Sequence, residues 1–336
     1  MIASRDSFFD VVKCMLIILV VFGHTFENDN GIVKDTLYPF IYSFHMPLFI
    51  FTSGYFTKVC QSRKDFFKRN FRLLETFIVF QTIFIAINIL YGKPFHWYML
   101  YVPQWGLWYL LSLFWWRTLI VFINPQKYRT YICIIISLLL CILSGYVDFT
   151  RGFSFQRTFY FFPFFMAGHC IATKKIDIKS YFLSFKTSIS ILLCTLSVCY
   201  VISRIKEISI IDLLYATYSY DTTISSISFL GFNNLIFARI ITLFLSFLIS
   251  YAFLSICQHI KAKNYMLSIG KNTLYFYIYH LLILFFFNKI ISAVDLPTTL
   301  PFIILYTTVI VIGLYKLSNN KVLIKSLNPI TSRYKL

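Results

Sequence analysis

Lys13, His24, His45 and His280 are ionisable side chains of this 336-residue chain that lie within otherwise apolar segments. An ionisable group inside hydrocarbon costs at least about 2.5–3.5 kcal/mol on insertion scales, so each one raises a question of function. A neutral imidazole can accept a proton or hydrogen-bond a carbonyl group, and an ammonium group can neutralise developing negative charge. These four residues are therefore the candidate catalytic residues.

The first apolar segment carries a polar stripe. Lys13 and His24 are eleven residues apart, so on a helix they differ by about 20° around the axis and by about 16 Å along it. Asp10 lies about 60° from Lys13 on the same side. Two alternatives stay open, since the Lys13 stem can carry its ammonium group to the interface or onto Asp10, and His24 can be an interfacial histidine. Because charges interrupt the segment and no small-x-small cleavage pattern follows, we expect it to stay as a helix rather than be removed as a secretory signal.

The stretch "SFHMPLFIFTSGY" places His45 near the middle of the second apolar segment, two residues before Pro47. Proline removes an amide donor and clashes with the carbonyl group four residues earlier, here that of Ser43, so we expect a bend close to the imidazole. Residues 52–54, Thr-Ser-Gly, allow close contact and hydrogen bonds between helices. A bend opens space for a ligand, and a His45 that only bonds to a neighbouring helix is the alternative.

His280 lies about two and a half turns inside the ninth apolar segment, so three histidines from three helices are expected to converge near mid-membrane. The remaining histidines favour structural or solvated roles, because His169 is near the inner end of the sixth segment and His96 and His259 lie outside the apolar segments. Arg239 is expected either to reach the outer interface or to pair with an acidic residue of an outer loop.

The composition indicates an integral membrane protein, because 58% hydrophobic, 20% aromatic and 13% charged residues leave too little polar material to cover a soluble globule. The apolar runs have the length that a membrane-crossing helix needs, about 20 residues. We predict an all-α, polytopic membrane helix bundle of about ten transmembrane helices that forms a single domain over residues 1–336. The predicted spans are 8–24, 37–56, 73–91, 105–123, 130–147, 158–172, 185–202, 235–257, 272–293 and 299–317.

The net charge of +18 is explained by membrane topology. With the amino terminus inside, lysines and arginines concentrate in the inner segments, which is the positive-inside pattern and predicts that both termini are cytoplasmic. A nucleic-acid partner is therefore not expected. The basic residues of the outer segments are Lys34, Lys93, Arg151, Arg157, Arg204, Lys206 and Lys289.

Several classes of site lack their signatures in the sequence. The chain has no HExxH or His-x3-His pair and no carboxylate cluster in its spans, which argues against a catalytic metal site. Gly-rich phosphate loops and the GxSxG elbow are also absent. Outer segment 203–234 combines hydroxyl groups with aromatic rings, which suit a carbohydrate or equally a half-buried loop on the membrane surface. Its rings are Tyr215, Tyr218, Tyr220, Phe229 and Phe232.

Five stretches resemble, in the same order along the chain, the signatures of the acyltransferase 3 family of integral-membrane acyltransferases. They are "DVVKCMLIILVVFGH", "FHMPLFIFTSGYF", "WGLWYLLSLF", "FFPFFMAGH" and "GKNTLYFYIYH". They extend from about Phe8 to His280, and the ten-span count agrees with the family. The chain departs from the family at Lys13, where most members carry Arg with its planar fork, and at Glu75-Thr76, where Pro-Tyr is usual, so the third helix is expected to start unbroken.

The resemblance implies an enzyme that transfers an acyl group, usually acetyl, from coenzyme A to a hydroxyl group of a cell-surface polysaccharide or its lipid-linked precursor. Acyl-CoA is then a co-substrate, and no bound cofactor is expected. His24 is the favoured base, His45 and His280 are the further catalytic candidates, and Lys13 would neutralise charge. The cytoplasmic basic residues would hold the phosphates of coenzyme A, although positive-inside bias also explains them. The substrate-binding candidates are Asp10, Ser53, Trp108, Arg63, Lys64, Lys68, Arg69 and Arg72.

Two other functions stay open at this point. A transporter or flippase of a lipid-linked sugar would also place polar groups across several helices, and a structural membrane scaffold needs no chemistry. Dependence on coenzyme A would separate the enzyme from both. The expected partners are a carbohydrate acceptor, acyl-CoA, the lipid bilayer and polysaccharide-assembly machinery, and the expected location is the cytoplasmic (inner) cell membrane.

Overall fold

The long apolar runs form helices, because a backbone in lipid must satisfy its polar groups internally. The computed structural model describes residues 6–25, 31–58, 63–123, 128–205, 210–220, 235–294, 299–318, 320 and 322. The helices described are α1 (Ser7–Thr25), α2 (Ile32–Tyr42), α3 (His45–Phe56), α4 (Arg63–Leu90), α5 (Trp108–Phe122), α6 (Thr130–Leu143), α7 (Phe155–Thr173), α8 (Phe185–Ser203), α9 (Ile210–Tyr215), α10 (Leu235–Cys257), α11 (Asn264–Lys271), α12 (Thr273–Val294) and α13 (Leu300–Leu317). Short 3-10 turns cover Trp97–Leu100, Trp105–Leu107, Ser144–Tyr146, Gly152–Ser154 and Ile178–Tyr181.

Within the described residues, six helices are long and apolar enough to cross a membrane, by length and composition. Two shorter apolar helices cover Thr130–Tyr146 and Thr273–Asn288. The predicted all-helical membrane class is therefore confirmed, whereas the count of ten spans and the side of each terminus stay predictions. The six are Ser7–Thr25, Phe66–Leu90, Trp105–Phe122, Phe185–Ser203, Leu235–Cys257 and Leu300–Leu317.

The second predicted span, 37–56, is interrupted. α2 ends at Tyr42, and α3 begins at His45. Pro47 then falls in the first turn of α3, where its missing N–H group leaves no hydrogen bond unmade. The expected bend beside the imidazole is thus observed, and it takes the form of a break. By contrast, α4 runs unbroken past Glu75, as the missing Pro-Tyr predicts.

The chain divides into two compact units. The first unit comprises Met1–Phe49, Asp177–Leu214 and Thr242–Ile324. The second unit comprises Ile50–Ile176, Tyr215–Ile241 and Lys325–Leu336. Both α3 and α10 contribute residues to each unit.

In the first unit, α1 packs closely against α11. A Cβ atom at Gly270 of α11 would lie 2.7 Å from the carbonyl carbon and 2.9 Å from the Cα atom of Asp10, so only glycine permits this approach. At the other end of α1, the hydroxyl groups of Thr25 and Thr307 of α13 are 3.1 Å apart and hydrogen-bonded. These two contacts fix both ends of the helix that carries Lys13 and His24.

In the second unit, a reciprocal glycine contact joins α3 and α7. A Cβ atom at Gly54 would lie 2.8 Å from the carbonyl carbon of Phe165, and one at Gly168 would lie 2.9 Å from the Tyr55 nitrogen. Small residues that let backbones touch are typical of helix contacts in membranes. Gly54 therefore makes the close helix contact that the sequence predicts for residues 52–54.

Polar side chains join α4, α5 and α7 of the second unit. The Asn70 Nδ2 atom donates to the Phe114 carbonyl group at 3.0 Å and to the Thr118 hydroxyl group at 2.9 Å. The Trp116 Nε1 atom donates to the Thr158 carbonyl group at 2.7 Å. These bonds place residues 70 and 118 at the same depth in the helix pair α4–α5.

The connection between α4 and α5 is held by one amide side chain. The Gln81 Nε2 atom donates to the carbonyl groups of Met99 and Val102 at 2.7 and 2.8 Å. The Gln81 Oε1 atom accepts from the Gln104 amide at 2.9 Å. Both hydrogens of the Gln81 Nε2 atom and one lone pair of its Oε1 atom thus hold this connection in place.

The C-terminal end of α6 is capped by side chains from other segments of the second unit. Carbonyl groups in the last turn of a helix lack partners within the helix, and a cation or a donor satisfies them. Arg239 donates to the Cys141 carbonyl group at 2.9 Å, Tyr220 donates to that of Ile142 at 3.0 Å, and Gln156 donates to that of Ser144 at 2.9 Å.

Candidate active site

An ion pair lies in the first half of α1. The Lys13 Nζ atom is 2.9 Å from the Asp10 Oδ1 atom, and the side chains are 17% and 3% exposed. Of the two alternatives for Lys13, the structure has the one in which the ammonium group reaches Asp10. Pairing offsets part of the large cost of holding either charge in a membrane-spanning helix. Gly270 contacts the backbone of the same aspartate, so the turn of α1 that carries the pair packs directly against α11.

His24 of α1 and His280 of α12 contact each other. Their ring centroids are 5.3 Å apart, and the rings are inclined by 36°. His280 is 0% exposed, and His24 is partly buried. Two of the three histidines expected to converge are therefore adjacent, and His24 directly precedes Thr25, whose hydroxyl group bonds to that of Thr307.

His45 lies in the same unit, at the first position of α3. Tyr42, the last residue of α2, meets the His45 ring edge-on with centroids 4.8 Å apart. His24 is close enough to both His45 and His280 to interact electrostatically with each of them. The break between α2 and α3 thus positions a third imidazole within electrostatic range of the pair.

The tautomers of His45 and His280 follow from their hydrogen bonds. The Nδ1 atom of each histidine lies 2.8 Å from a carbonyl oxygen one turn earlier, that of Ile41 or Phe276. A carbonyl oxygen only accepts, so each Nδ1 atom carries the hydrogen and each Nε2 atom carries the lone pair. Among the described residues, nothing hydrogen-bonds to the buried Nε2 atom of His280. The site therefore presents a basic nitrogen that is free to accept a proton.

The predicted substrate-binding residues Ser53 and Trp108 belong to the second unit. The Ser53 hydroxyl group is 2.6 Å from that of Tyr109. Trp108 is buried, with the Arg157 guanidinium group 4.8 Å from its ring centroid and Phe161 stacked at 5.6 Å. The Trp108 ring is thus in contact with protein groups rather than open to solvent.

The predicted phosphate-binding residues lie at the start of α4 in the second unit. Lys68 and Arg69 are exposed, and Arg72 is partly buried. The side chains of Arg63 and Lys64 lie outside the described residues. The buried Nε atom of Arg72 has no hydrogen-bond partner among the described residues, so this donor is available to a ligand.

Two arginines of the second unit were missed by the prediction of site residues. Arg157 of α7 donates to the Thr217 hydroxyl group at 2.8 Å and covers the Trp108 ring. Arg117 of α5 has a buried Nε atom without a partner in the described part of the chain. The signal for Arg117 is its position in the apolar run 105–123, which continues beyond it as "TLIVFI".

Arg239 does not extend to the outer interface, which is one of its two predicted roles, and its pairing with an acidic residue of an outer loop stays a prediction. Arg239 is 5% exposed, and its guanidinium group lies over the rings of Tyr160 and Tyr220, 5.4 and 4.6 Å from their centroids. The prediction that it reaches the outer interface is therefore wrong, because the end of α6 supplies buried carbonyl acceptors that a sequence pattern does not reveal.

The structural or solvated roles of the remaining histidines stay predictions. His96 and His259 are exposed, and His169 is buried in α7. In the part of the chain that the structure describes, no three His, Cys, Asp or Glu side chains are placed to hold a metal ion.

Segment 203–234 is described only in part. Arg157 covers the ring of Tyr215, and Arg151 covers that of Tyr218 at 4.8 Å. The predicted aromatic residues Phe229 and Phe232 lie outside the described residues. The described tyrosines of this segment thus pack against arginines and helix ends of the second unit.

Short segments of the chain are similar to two nodulation proteins NolL. The protein from Sinorhizobium fredii (strain NBRC 101917 / NGR234) is 46% identical over 57 residues, which is 16% of each chain. The protein from Mesorhizobium japonicum (strain LMG 29417 / CECT 9101 / MAFF 303099) is 37% identical over 68 residues, 19% of this chain and 18% of its own. The matches thus span less than a fifth of the length of either relative. No solved structure matches the chain.

The match to a protein family covers far more of the chain. The family model, described as an acyltransferase domain, matches residues 6–316, which include most of both compact units and every histidine discussed above. The chain therefore belongs to the acyltransferase 3 family.

Proposed function

We propose that the protein is a membrane O-acyltransferase that moves an acyl group, most simply acetyl, from acyl-CoA to a hydroxyl group of a cell-surface polysaccharide or its lipid-linked precursor. The observation that carries the proposal is the buried, unpartnered Nε2 atom of His280 beside the His24 ring. Within an acyltransferase family, a basic nitrogen kept free in a membrane-spanning segment is suited to taking a proton from an acceptor hydroxyl group.

The proposed reaction needs one base and one stabiliser of negative charge. His24 takes the proton of the acceptor hydroxyl group, the oxygen attacks the thioester carbonyl carbon, a C–O bond forms, and the C–S bond breaks. The proton then passes to the departing thiolate of coenzyme A. Alternatively, a histidine carries the acyl group briefly before the hydroxyl group attacks. In either route Lys13, held by Asp10, neutralises negative charge on the donor or on the tetrahedral intermediate.

His280 and His45 have distinct proposed roles. Because the Nδ1 atom of each is committed to a carbonyl group, only the Nε2 atom can exchange a proton. The His280 Nε2 atom is the group next to His24 that can accept a proton from it. His45 supplies a second basic nitrogen at the break between α2 and α3, where the backbone does not form a continuous helix.

The donor is proposed to bind through its phosphates to the basic start of α4. Arg63, Lys64, Lys68, Arg69 and Arg72 carry the charge, and the free Nε donor of Arg72 supports a role beyond membrane topology. Ser53 and Trp108 remain proposed substrate contacts. For Trp108, the buried ring supports a role in positioning Arg157 rather than in stacking on a sugar.

The proposed setting is the cytoplasmic (inner) membrane, with about ten crossings, both termini cytoplasmic, and a single acyltransferase domain that acts alongside polysaccharide-assembly machinery. The basic residues concentrated in the predicted inner segments support this topology. The described helices support it as well, since each predicted span coincides with one of them or, at 37–56, with α2 and α3.

The test is transfer of radiolabelled acetyl from acetyl-CoA to cell-envelope glycan in membranes that contain equal amounts of each variant. His24→Ala and His280→Asn are compared with His259→Ala, which changes an exposed histidine. Asparagine can still donate to the Phe276 carbonyl group as Nδ1 does, but it offers no basic nitrogen. We expect a fall of about 100-fold or more for the two buried-site variants, the usual size of a general acid–base contribution, and none for the control.

Three results would contradict parts of this proposal. Full transfer by His280→Asn would limit His280 to helix packing, and full transfer by both variants would remove the histidine pair from the chemistry. No transfer by the wild-type protein, together with movement of a lipid-linked sugar across the membrane, would favour the transporter alternative instead.

A further inference from the structure

Arg117 is a cation of α5 for which the described residues provide no counter-charge. Its Nε atom is buried and makes no hydrogen bond to them. Asp and Glu side chains in the described part of the chain form no ion pair with it; the ion pairs found there join Lys13 to Asp10 and Lys179 to Asp6. α5 lies in one of the helices long and apolar enough to cross a membrane, so this charge is costly to hold.

Two other cations held within apolar helices have partners that explain them. Lys13 is paired with Asp10, and Arg239 donates to the Cys141 carbonyl group and the Ser144 hydroxyl group. The electrostatic contact found for Arg117 is with the phenol of Tyr109, which is neutral at physiological pH and hydrogen-bonded to Ser53. Arg117 is partly buried, and a neutral phenol does not offset a guanidinium charge, so the buried part of this side chain lacks a compensating group among the described residues.

A second unpartnered guanidinium donor lies at the same depth. The hydrogen bond from Asn70 to Thr118 aligns α4 with α5. Arg72 is two residues from Asn70 on α4, and Arg117 is one residue from Thr118 on α5. The Nε atom of Arg72 is also buried without a partner among the described residues. Arg72 is about 200° around α4 from Asn70, so this alignment gives the two arginines a common depth but not a common face. The unused Nε donor of Arg117 carries the inference by itself, since the group it lacks is an acceptor and an anion would also offset its charge.

We propose that Arg117 binds a phosphoryl group, which is that of the acyl-CoA donor if the proposed function holds, or otherwise that of a phospholipid headgroup. A guanidinium group matches the oxygens of phosphate with parallel hydrogen bonds, as ammonium does not. In this role Arg117 extends the phosphate-binding region from the start of α4 to α5. It is a binding residue and takes no part in the transfer of the acyl group.

The experiment compares the wild-type protein with Arg117→Gln, Arg117→Lys and the control Arg129→Gln, each purified in lipid nanodiscs. Arg129 follows α5, is exposed and donates to the Tyr131 hydroxyl group, so its substitution removes the same charge from outside the helix. Affinities are measured by titration calorimetry for coenzyme A, dephospho-CoA, which retains the pyrophosphate, and pantetheine, which has no phosphate. Thermal unfolding is measured in nanodiscs of phosphatidylcholine with and without phosphatidylglycerol.

We expect Arg117→Gln to weaken coenzyme A binding roughly 10- to 100-fold, the loss of one or two charge-assisted hydrogen bonds, and to leave pantetheine binding unchanged. Arg117→Lys should lie between wild type and Arg117→Gln, because it keeps the charge without the fork. Equal weakening of coenzyme A and pantetheine would show a general defect of folding and overturn the proposal. The affinity for dephospho-CoA shows which phosphate Arg117 binds. A loss of that affinity in Arg117→Gln assigns Arg117 to the pyrophosphate, and an unchanged affinity assigns it to the phosphate that dephospho-CoA lacks.

The lipid measurements separate this inference from the proposed function. If the wild-type protein does not bind coenzyme A, the proposed donor is wrong. The role of Arg117 is then tested by thermal unfolding with and without phosphatidylglycerol. Stabilisation by that lipid in the wild type and its loss in Arg117→Gln would assign the phosphoryl group to a lipid. If neither coenzyme A nor phosphatidylglycerol binding depends on Arg117, the residue does not bind a phosphoryl group.

Discussion

Replacing Gly270 by alanine should destabilise the contact between α11 and α1. The added Cβ atom would lie 2.7 and 2.9 Å from the Asp10 carbonyl carbon and Cα atom. Non-bonded carbon atoms prefer about 3.5–4.0 Å, so the two helices must separate by about 1 Å. The contacting atoms are backbone and cannot rotate away. Overpacking of this kind costs about 1–3 kcal/mol, and the better helix propensity of alanine returns at most about 1 kcal/mol. The expected net loss of stability is about 1–2 kcal/mol.

The assay is reversible unfolding in mixed micelles, with Gly313→Ala as the matched control. Gly313 lies within α13 of the same unit, and a Cβ atom there meets nothing within 4 Å. Gly313→Ala should therefore be neutral or up to about 1 kcal/mol more stable than the wild type.

Acetyl transfer should fall in Gly270→Ala alone, because the displaced backbone belongs to the residue that holds Lys13. Equal stability of the two variants would refute the close approach of α11 to Asp10. A destabilised Gly270→Ala protein with full transfer would keep the packing argument and remove the proposed role of the ion pair.

Three further results are expected. Asp10→Asn leaves the Lys13 ammonium group without its carboxylate, and should destabilise the protein by about 1–3 kcal/mol, whereas Asp10→Asn with Lys13→Met should recover part of that loss in the same unfolding assay. In a double-mutant cycle, Thr25→Val and Thr307→Val should show a coupling free energy of about 0.5–1.5 kcal/mol, and a coupling near zero would mean that the two hydroxyl groups do not bond. Gln81→Leu removes three hydrogen bonds to one connection and should make that connection the first site of limited proteolysis; unchanged cleavage would show that the amide does not hold it.

The positions of the helices could be predicted because lipid offers the backbone no hydrogen-bond partners. A backbone that crosses hydrocarbon must be helical throughout, so each long apolar run predicts one helix within a few residues. The break at 43–44 was predicted only as a bend, because Pro47 indicates that one hydrogen bond is missing but not how far the interruption extends.

The polar stripe of α1 could also be predicted, since its geometry depends on one helix alone. The pairing of Lys13 with Asp10 needs only neighbouring turns, and the position of His24 follows from the helix period. Which nitrogen of His280 is free could not be predicted, because it depends on the Phe276 carbonyl group and on the packing around the ring.

Contacts between distant segments were the least predictable. The position of Arg239 just inside the outer end of its helix predicts contact with the interface, but the Cys141 carbonyl group and the Ser144 hydroxyl group that it binds lie 98 and 95 residues earlier. Trp108 was assigned to substrate binding from the family resemblance, and only the structure shows that Arg157 covers its ring. Such pairs depend on tertiary packing between distant segments, which local patterns in a single sequence do not reveal.

The cap on the end of α6 has a consequence for how the chain is made. Cys141 leaves the ribosome 98 residues before Arg239, the side chain that finally bonds to its carbonyl group. During synthesis the last turn of α6 must keep those oxygens in contact with water or with the insertion machinery, since bare carbonyl groups are not stable in hydrocarbon. That end of α6 is thus expected to settle into its final depth only when α10 arrives. A substitution at Arg239 would then appear as a late defect of assembly, visible as protein that inserts but is degraded before it matures.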